Sequence, residues 1–407
     1  MTDALPALLR FAAMLLRAGD TAFRVRQSTA QLAERLGMDG LALHVTLGGI
    51  TATAWQSGRA TTLAVDVAPP GIDAARIDTL TALAHRDGTL TPHELGAQLD
   101  AVDATPSLHG LTTVAVAIGL ASGAFAFLNG GGLLAVSTAM GCGAVGQAAR
   151  ALLLRRRLNQ YAVTAFTALL ASGLYCLVVM GIAGHDFTLD LAAGFISSAL
   201  FLVPGFPLVA SLLDLVQHQI TAGLARLAYA LMILLGGAFG LSIAAAAAGL
   251  TAFGAVPAGQ DVATVTLLWQ ALASFAGGCG FALLYNSPWR TVLVVGLLSL
   301  AGNELRLALH DLGMALPPAT FVGALTVGLL ASLARRHLHE PRITLTVPAI
   351  IIMTPGIYAF RTIVLLNQGE ILAALEAAAM CGFIAGGMAF GLATARFISE
   401  RHWIVER

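Results

Sequence analysis

"FLVPGFPLVASLLDL", residues 201–215, lies inside a long apolar run of the kind that reads as a membrane helix. Pro204 and Pro207 each remove a backbone donor from that run, and Gly205 loosens the chain between them. "IIMTPGIYAFRTIVL", residues 351–365, carries the same dipeptide as Pro355-Gly356 in a second apolar run. Pro204 and Pro355 stand 151 residues apart, and the same offset carries an apolar run beginning at 111 onto one beginning at 262. This reads as two repeats of five helices, and an odd number inserts the second repeat upside down relative to the first. Inverted repeats with broken helices at matching positions point to a secondary transporter and its binding site. A packing kink is the alternative, and a lone proline would favour it.

The chain has 407 residues, 57% hydrophobic and 11% charged, with a mean hydropathy of +0.81. A soluble protein of this length needs far more charge to cover its surface, so the class is integral membrane protein. Its net charge is zero, which gives no global attraction to nucleic acid. Every basic residue is Arg, and without a Lys on the phosphates no P-loop is present. "GCGAVG" at 141–146 fits G-x-G-x-x-G but sits within an apolar span, where close helix packing explains it better. Cys142, Cys176, Cys279 and Cys381 are scattered and read as small core residues. His93-Glu94 lacks a second His at zinc-helix spacing, and His337 and His339 sit in a basic loop. The expectation is no metal and no cofactor; the rival class is a membrane enzyme with a catalytic leading domain, which offers no nucleophile–base or metal constellation, so a non-enzyme is expected.

Residues 1–107 differ in kind. "LLRFAAMLLRAGDTAFRVRQSTAQLAERLGM" has helical apolar spacing, but Arg10, Arg17, Asp20, Arg24 and Arg26 interrupt it too often for a span. "LALHVTLGGITATAWQSGRATTLAVDV" alternates and is cut at Gly48-Gly49 and Ser57-Gly58, predicting two or three antiparallel strands. "TPHELGAQLDAV" opens a helix with Thr91 as N-cap and Pro92 at the first position. The fold class expected is therefore all-α polytopic, with a small cytoplasmic α+β domain over 1–107 and five-helix repeats over 108–250 and 251–407. Ten spans are predicted at 111–129, 131–151, 161–183, 190–213, 224–249, 262–284, 291–310, 317–334, 343–366 and 371–397. "RRRLNQ" (155–160), Arg226, Arg290, "RRHLHEPR" (335–342) and the C-terminal arginines fall in alternate loops. Basic residues collect in cytoplasmic loops, so both termini are expected inside.

"LVPGFPL", then Asp214 and "GLAR" at 223–226, resembles the signature of the bacterial threonine/serine exporter family. The leading "LLRAGDTAFRVRQSTAQLAERLGM" is similar to that family's cytoplasmic region. "GFALLYNSPWR" at 280–290, "GNELR" at 302–306 and "TPGIYA" at 354–359 resemble its smaller partner component, fused here. The resemblance implies export of threonine and serine across the bacterial inner membrane, or of succinate as implicated for the two-subunit relatives. The chain departs from the two-subunit pattern at Ala210, Gln219, Glu304 and Arg361.

A broken helix exposes amides and partial positive charge at the start of its second half. Gly205 suits the end of one half-helix, and Pro207, after Phe206, the start of the next. Opposed ends at Pro204–Pro207 and Pro355-Gly356 would hold a carboxylate near the midplane. Asp214 is a candidate for a coupled proton or the substrate ammonium, against a solvated helix end; Arg226 is an interfacial anchor or a transport residue. Glu304, Arg306 and Arg361 lie deep in spans, where charge is costly, and Glu304 with Arg361 could instead be a structural ion pair. Asn286 caps a helix or meets substrate. The partners expected are a small carboxylate or amino-acid substrate and the lipid bilayer, with a proton gradient as driving force; a homo-oligomer is compatible with the sequence.

Overall fold

The computed structural model describes residues 4–69, 71–184, 189–250, 264–338 and 340–400. Helices α1 (Ala4–Arg17) and α2 (Ala22–Arg35) lead into a three-stranded antiparallel sheet of β1 (Gly40–Val45), β2 (Gly49–Gln56) and β3 (Arg59–Asp66), in that order. Helix α1 buries Leu5, Leu8, Phe11, Ala12 and Leu15, one helical stripe, against the sheet and its neighbours. Strand β2 turns Ile50, Ala52 and Ala54 inward and leaves Thr51 and Trp55 outside, the alternation expected of a half-buried strand. Ser57 and Gly58 both have positive φ, 51° and 75°, which closes a two-residue hairpin between Gln56 and Arg59. Helices α3 (Ala74–Ala84) and α4 (Pro92–Ala104) follow. Thr91 caps α4, its hydroxyl accepting from the Glu94 amide while Glu94 reaches back to the Thr91 amide.

The apolar part runs as α5 (Leu111–Leu128), α6 (Leu133–Arg155), α7 (Gln160–Ala183), α8 (Leu189–Ser198), α9 (Gly205–Val216) and α10 (Ile220–Ala247). The same order returns as α11 (Thr264–Leu284), α12 (Trp289–Asp311), α13 (Leu316–Leu338), α14 (Arg342–Ile350), α15 (Gly356–Asn367) and α16 (Ile371–Ser399). In both series a short helix ends in one 3-10 turn, Leu200–Leu202 or Ile351–Met353, and a 12-residue helix follows. Packing repeats as well: α7 lies on α10 as α13 lies on α16, α5 on α6 as α11 on α12, and α5 meets α11 between the series.

Among the described residues seven helices are long and apolar enough to cross a bilayer, and two further spans arise if each broken pair counts as one. The pairs bend by 62° at α8–α9 and 54° at α14–α15. Ten spans were expected, and α6 is the difference. It has 23 residues, but Ser137, Thr138, Gln147 and Arg150 dilute its apolar run. Leu133, Leu177, Leu372 and Phe383 are each at least 70% exposed on these helices, a surface that needs lipid around it. The start of the sixth expected span and the C-terminal arginines beyond residue 400 lie outside the described residues.

Gly143 and Gly146, from the stretch that imitates a nucleotide fingerprint, are helical and face Ser122 and Phe201. A Cβ on Gly146 would stand 2.8 Å from the Phe201 ring, so these glycines let α6 approach its neighbours closely.

Candidate functional site

Helix α9 begins at Gly205 and α15 at Gly356, one residue after each proline. The Gly205 amide turns back to the Val203 carbonyl at 2.8 Å, and the Leu208 amide reaches Pro204 at 2.9 Å. In the second break Thr354 closes on Ile351 through both its amide (2.9 Å) and its hydroxyl (2.7 Å), and the Ala359 amide reaches Pro355. The two breaks pack on one another reciprocally. A Cβ on Gly205 would meet Ile351 at 3.1 Å and Thr354 at 3.3 Å; a Cβ on Gly356 would meet Leu200 at 2.6 Å and Val203 at 3.3 Å. Each glycine therefore touches the other helix's 3-10 turn.

An apolar cavity of about 40 Å³ lies beside this contact, bounded by Leu200, Val203, Ile233, Gly356 and Phe360. It has room for a few waters and no more. The start of α9 packs on Tyr285: the Phe206 ring meets the Tyr285 ring edge-on at 5.4 Å. The first amides of α15, from Gly356 to Tyr358, have no intrahelical acceptor. Close by, the Arg150 side chain of α6 lies among Tyr229 and Tyr285, and its Nε is buried without a hydrogen-bond partner. Neither Arg150 nor Tyr285 stands out in the sequence, because one ends an apolar run beside an arginine cluster and the other is one aromatic among many.

Asp214 and Arg226 occupy places the sequence does not disclose. Asp214 is completely buried rather than solvated, and its carboxylate accepts the Phe23 amide at 3.3 Å, with the Ala22 amide facing it. These are first-turn donors of α2, so a membrane carboxylate caps a helix of the leading domain. Arg226 is also buried, 2% exposed, and not an interfacial anchor. Its guanidinium donates to the carbonyls of Gly19 (3.0 Å) and Asp20 (2.8 Å), with Nε 3.7 Å from Asp214. Gly19 has a φ of +101°, and a Cβ there would lie 2.7 Å from the Gly71 carbonyl; only glycine fits that turn. Asp20 then holds the Thr21 amide and Arg24.

Asn286 makes a second junction. It sits in the left-handed region at φ +60°, accepts the Leu108 amide at 2.8 Å and donates to Asp73, the N-cap of α3, at 2.8 Å. Thr344 of α14 makes a third by donating to Asp78 of α3 at 3.1 Å. Burial, with Glu340 nearby, pushes the Asp78 carboxyl up to about 8, against the favourable Thr344 hydroxyl and Arg24 and together with Asp20. Its ordinary value is 3.8, so the docked form keeps a proton that the undocked form releases. Docking is accordingly strongest at acid pH, weakens from about pH 4 upward and loses this contribution as pH rises through about 8. Amide exchange of α3 should speed up between pH 5 and 8 beyond the intrinsic rate and level off above, and Asp78→Asn should flatten that extra dependence; an unchanged profile in the variant would refute the assignment.

Glu304 and Arg361 form no ion pair. Glu304 accepts from Ser274 at 2.7 Å, Ser274 accepts from Asn303 at 2.8 Å, and Arg306 donates to Asn303 at 3.0 Å. The chain thus spans α11 and α12 without reaching half-buried Arg361 on α15.

A family model described as "putative threonine/serine exporter" matches residues 6–248, and one described as "Threonine/Serine exporter, ThrE" matches 270–398. The chain belongs to the threonine/serine exporter family. Among curated relatives of this exporter-family chain, the probable succinate transporter subunit YjjP of Escherichia coli is 28% identical over 56% of the chain and 89% of its own length. The probable threonine/serine exporter of Mycobacterium tuberculosis is 28% identical over 68% of the chain, which spans 53% of that protein. An uncharacterized Haemophilus influenzae protein is 31% identical over 27% of the chain and 37% of its own length. No solved structure matches it.

Proposed function

We propose that the chain exports small hydroxy amino acids, threonine and serine, across the bacterial inner membrane by alternating access around its two breaks, driven by the proton gradient. In this reading ten spans form two inverted five-helix repeats, α6 included, with both termini and the leading domain cytoplasmic. The single observation that carries it is the reciprocal contact of Gly205 with Ile351 and of Gly356 with Leu200. Two half-helix starts held together at matching positions form a symmetric pivot, and their amides suit a carboxylate. The cavity beside the breaks, only about 40 Å³, fits a substrate-free conformation. Opening would separate the breaks and expose the α15 amides, with Arg150 as the nearby cation for the substrate carboxylate.

A dicarboxylate reading draws on the YjjP relatives and on Arg150, whose unpartnered Nε could receive a second carboxylate. Counterflow in proteoliposomes decides between them. Labelled threonine should accumulate against internal threonine or serine, with external succinate in excess leaving uptake unchanged. Accumulation of labelled succinate without threonine movement would overturn the amino-acid reading.

A further inference from the structure

A cavity of about 560 Å³ lies between the leading domain and the ends of α13, α14 and α16, apart from the paired breaks. The size falls within the usual range for small-molecule sites. Its walls carry Arg24, Arg335, Arg342 and Arg396 against Glu340 and Glu400. Arg342 is 2% exposed, donates to Ser399, Glu400 and the Gly328 carbonyl, and still has a buried Nε with no hydrogen-bond partner. Glu400 is shared between Arg335 at 2.9 Å and Arg342 at 3.2 Å, with Arg396 also acting on it, so one carboxylate serves three guanidiniums. Arg24 is balanced by Asp20 behind the wall. Glu340 takes a hydrogen bond from Thr291, and burial raises its carboxyl toward the neutral form. The walls therefore keep an excess of positive charge. Helix α14 adds its N-terminal amides, since Pro341 gives them no side-chain cap.

We propose that this cavity binds a small dianion, a dicarboxylate or a phosphate group, clamped between the cytoplasmic domain and α14. Guanidiniums match both anions through paired N–H donors, and a dianion supplies the acceptor that Arg342 Nε lacks, beside the positive end of α14. Because α14 is the first half of a broken span and α2 forms the opposite wall, an occupant ties the domain to the moving part of the membrane unit. This site does not depend on which substrate is carried.

The test uses the full chain in detergent, with inorganic phosphate and malonate as probes and sodium chloride at matched ionic strength as control. At least one dianion should raise the unfolding midpoint saturably and protect amides of 23–28 and 81–85 from exchange. Phosphate acting alone would assign a phosphate-bearing ligand, and malonate acting alone a dicarboxylate. Gln27 is an exposed wall residue, so Gln27→Glu adds a repelling charge without disturbing the core, and apparent affinity should fall at least about tenfold. Arg335→Gln, on a half-exposed side chain, should do likewise and serves if the first variant folds poorly. An equal shift with chloride, unchanged affinity in both variants, or protection at 203–206 and 354–357 instead would overturn the proposal.

Discussion

Replacing Gly356 by Leu should reduce substrate counterflow by about ten- to a hundredfold while the protein still inserts and purifies as a folded species. The first added carbon already lies 2.6 Å from Leu200 Cδ1, inside contact distance, and the rest of the side chain has only a cavity of about 40 Å³ to enter. Overpacking on this scale costs about 1–3 kcal/mol, and here it falls on the contact between the breaks. Gly205→Leu should be milder, because its nearest neighbour is the Ile351 side chain at 3.1 Å, which can shift. The decisive measurement is rescue. Leu200→Val removes the clashing Cδ1, so Gly356→Ala combined with Leu200→Val should transport better than Gly356→Ala alone. Failure of the pair to recover, with normal insertion, would mean that the glycine matters for its amide and not for the contact.

The second large effect should come from Asp214. Asp214→Ala leaves Arg226 buried with no carboxylate and the first turn of α2 without its acceptor for the Phe23 amide. Removing one member of a buried pair costs about 3–5 kcal/mol, far more than a solvated helix end would. The loss should appear as faster amide exchange at 22–25 and easier proteolysis of the connection at 105–110, before global unfolding. Asp214→Leu with Arg226→Met should recover most of the stability, since no charge is then stranded. Transport separates this role from a proton role. If Asp214 carries the coupled proton, Asp214→Asn loses gradient-driven export but keeps exchange of labelled for unlabelled substrate. If it only docks the domain, both fluxes change together.

The breaks were legible because proline acts locally: it removes a donor and fixes φ whatever surrounds it. The hairpin at Ser57-Gly58 and the capped start of α4 were legible for the same reason, each being set by residues within four positions. The site's side chains were not. Asp214 finds Phe23 across 191 residues and Arg226 finds Gly19 across 207, distances over which spacing carries no signal. Charge in an apolar helix showed that Glu304 needed a partner but could not say which, and Ser274 is closer to hand than Arg361. At α6 the small and polar residues that let the helix pack tightly also keep it below the apolarity of the other spans.

The junctions of the leading domain also set a schedule for making the protein. Its own core is complete by residue 104, yet its contacts reach Asp214 and Arg226, then Asn286, and last Thr344 of α14. A ribosome must have delivered almost the entire polypeptide before the final junction can close. Until then α3 keeps Asp78 without Thr344, even where Asn286 already holds Asp73. A part synthesised early is thus completed late, and a chain truncated between residues 286 and 344 would carry a head that lacks this last junction. Such a head offers proteolytic surveillance a simple mark by which unfinished copies differ from finished ones.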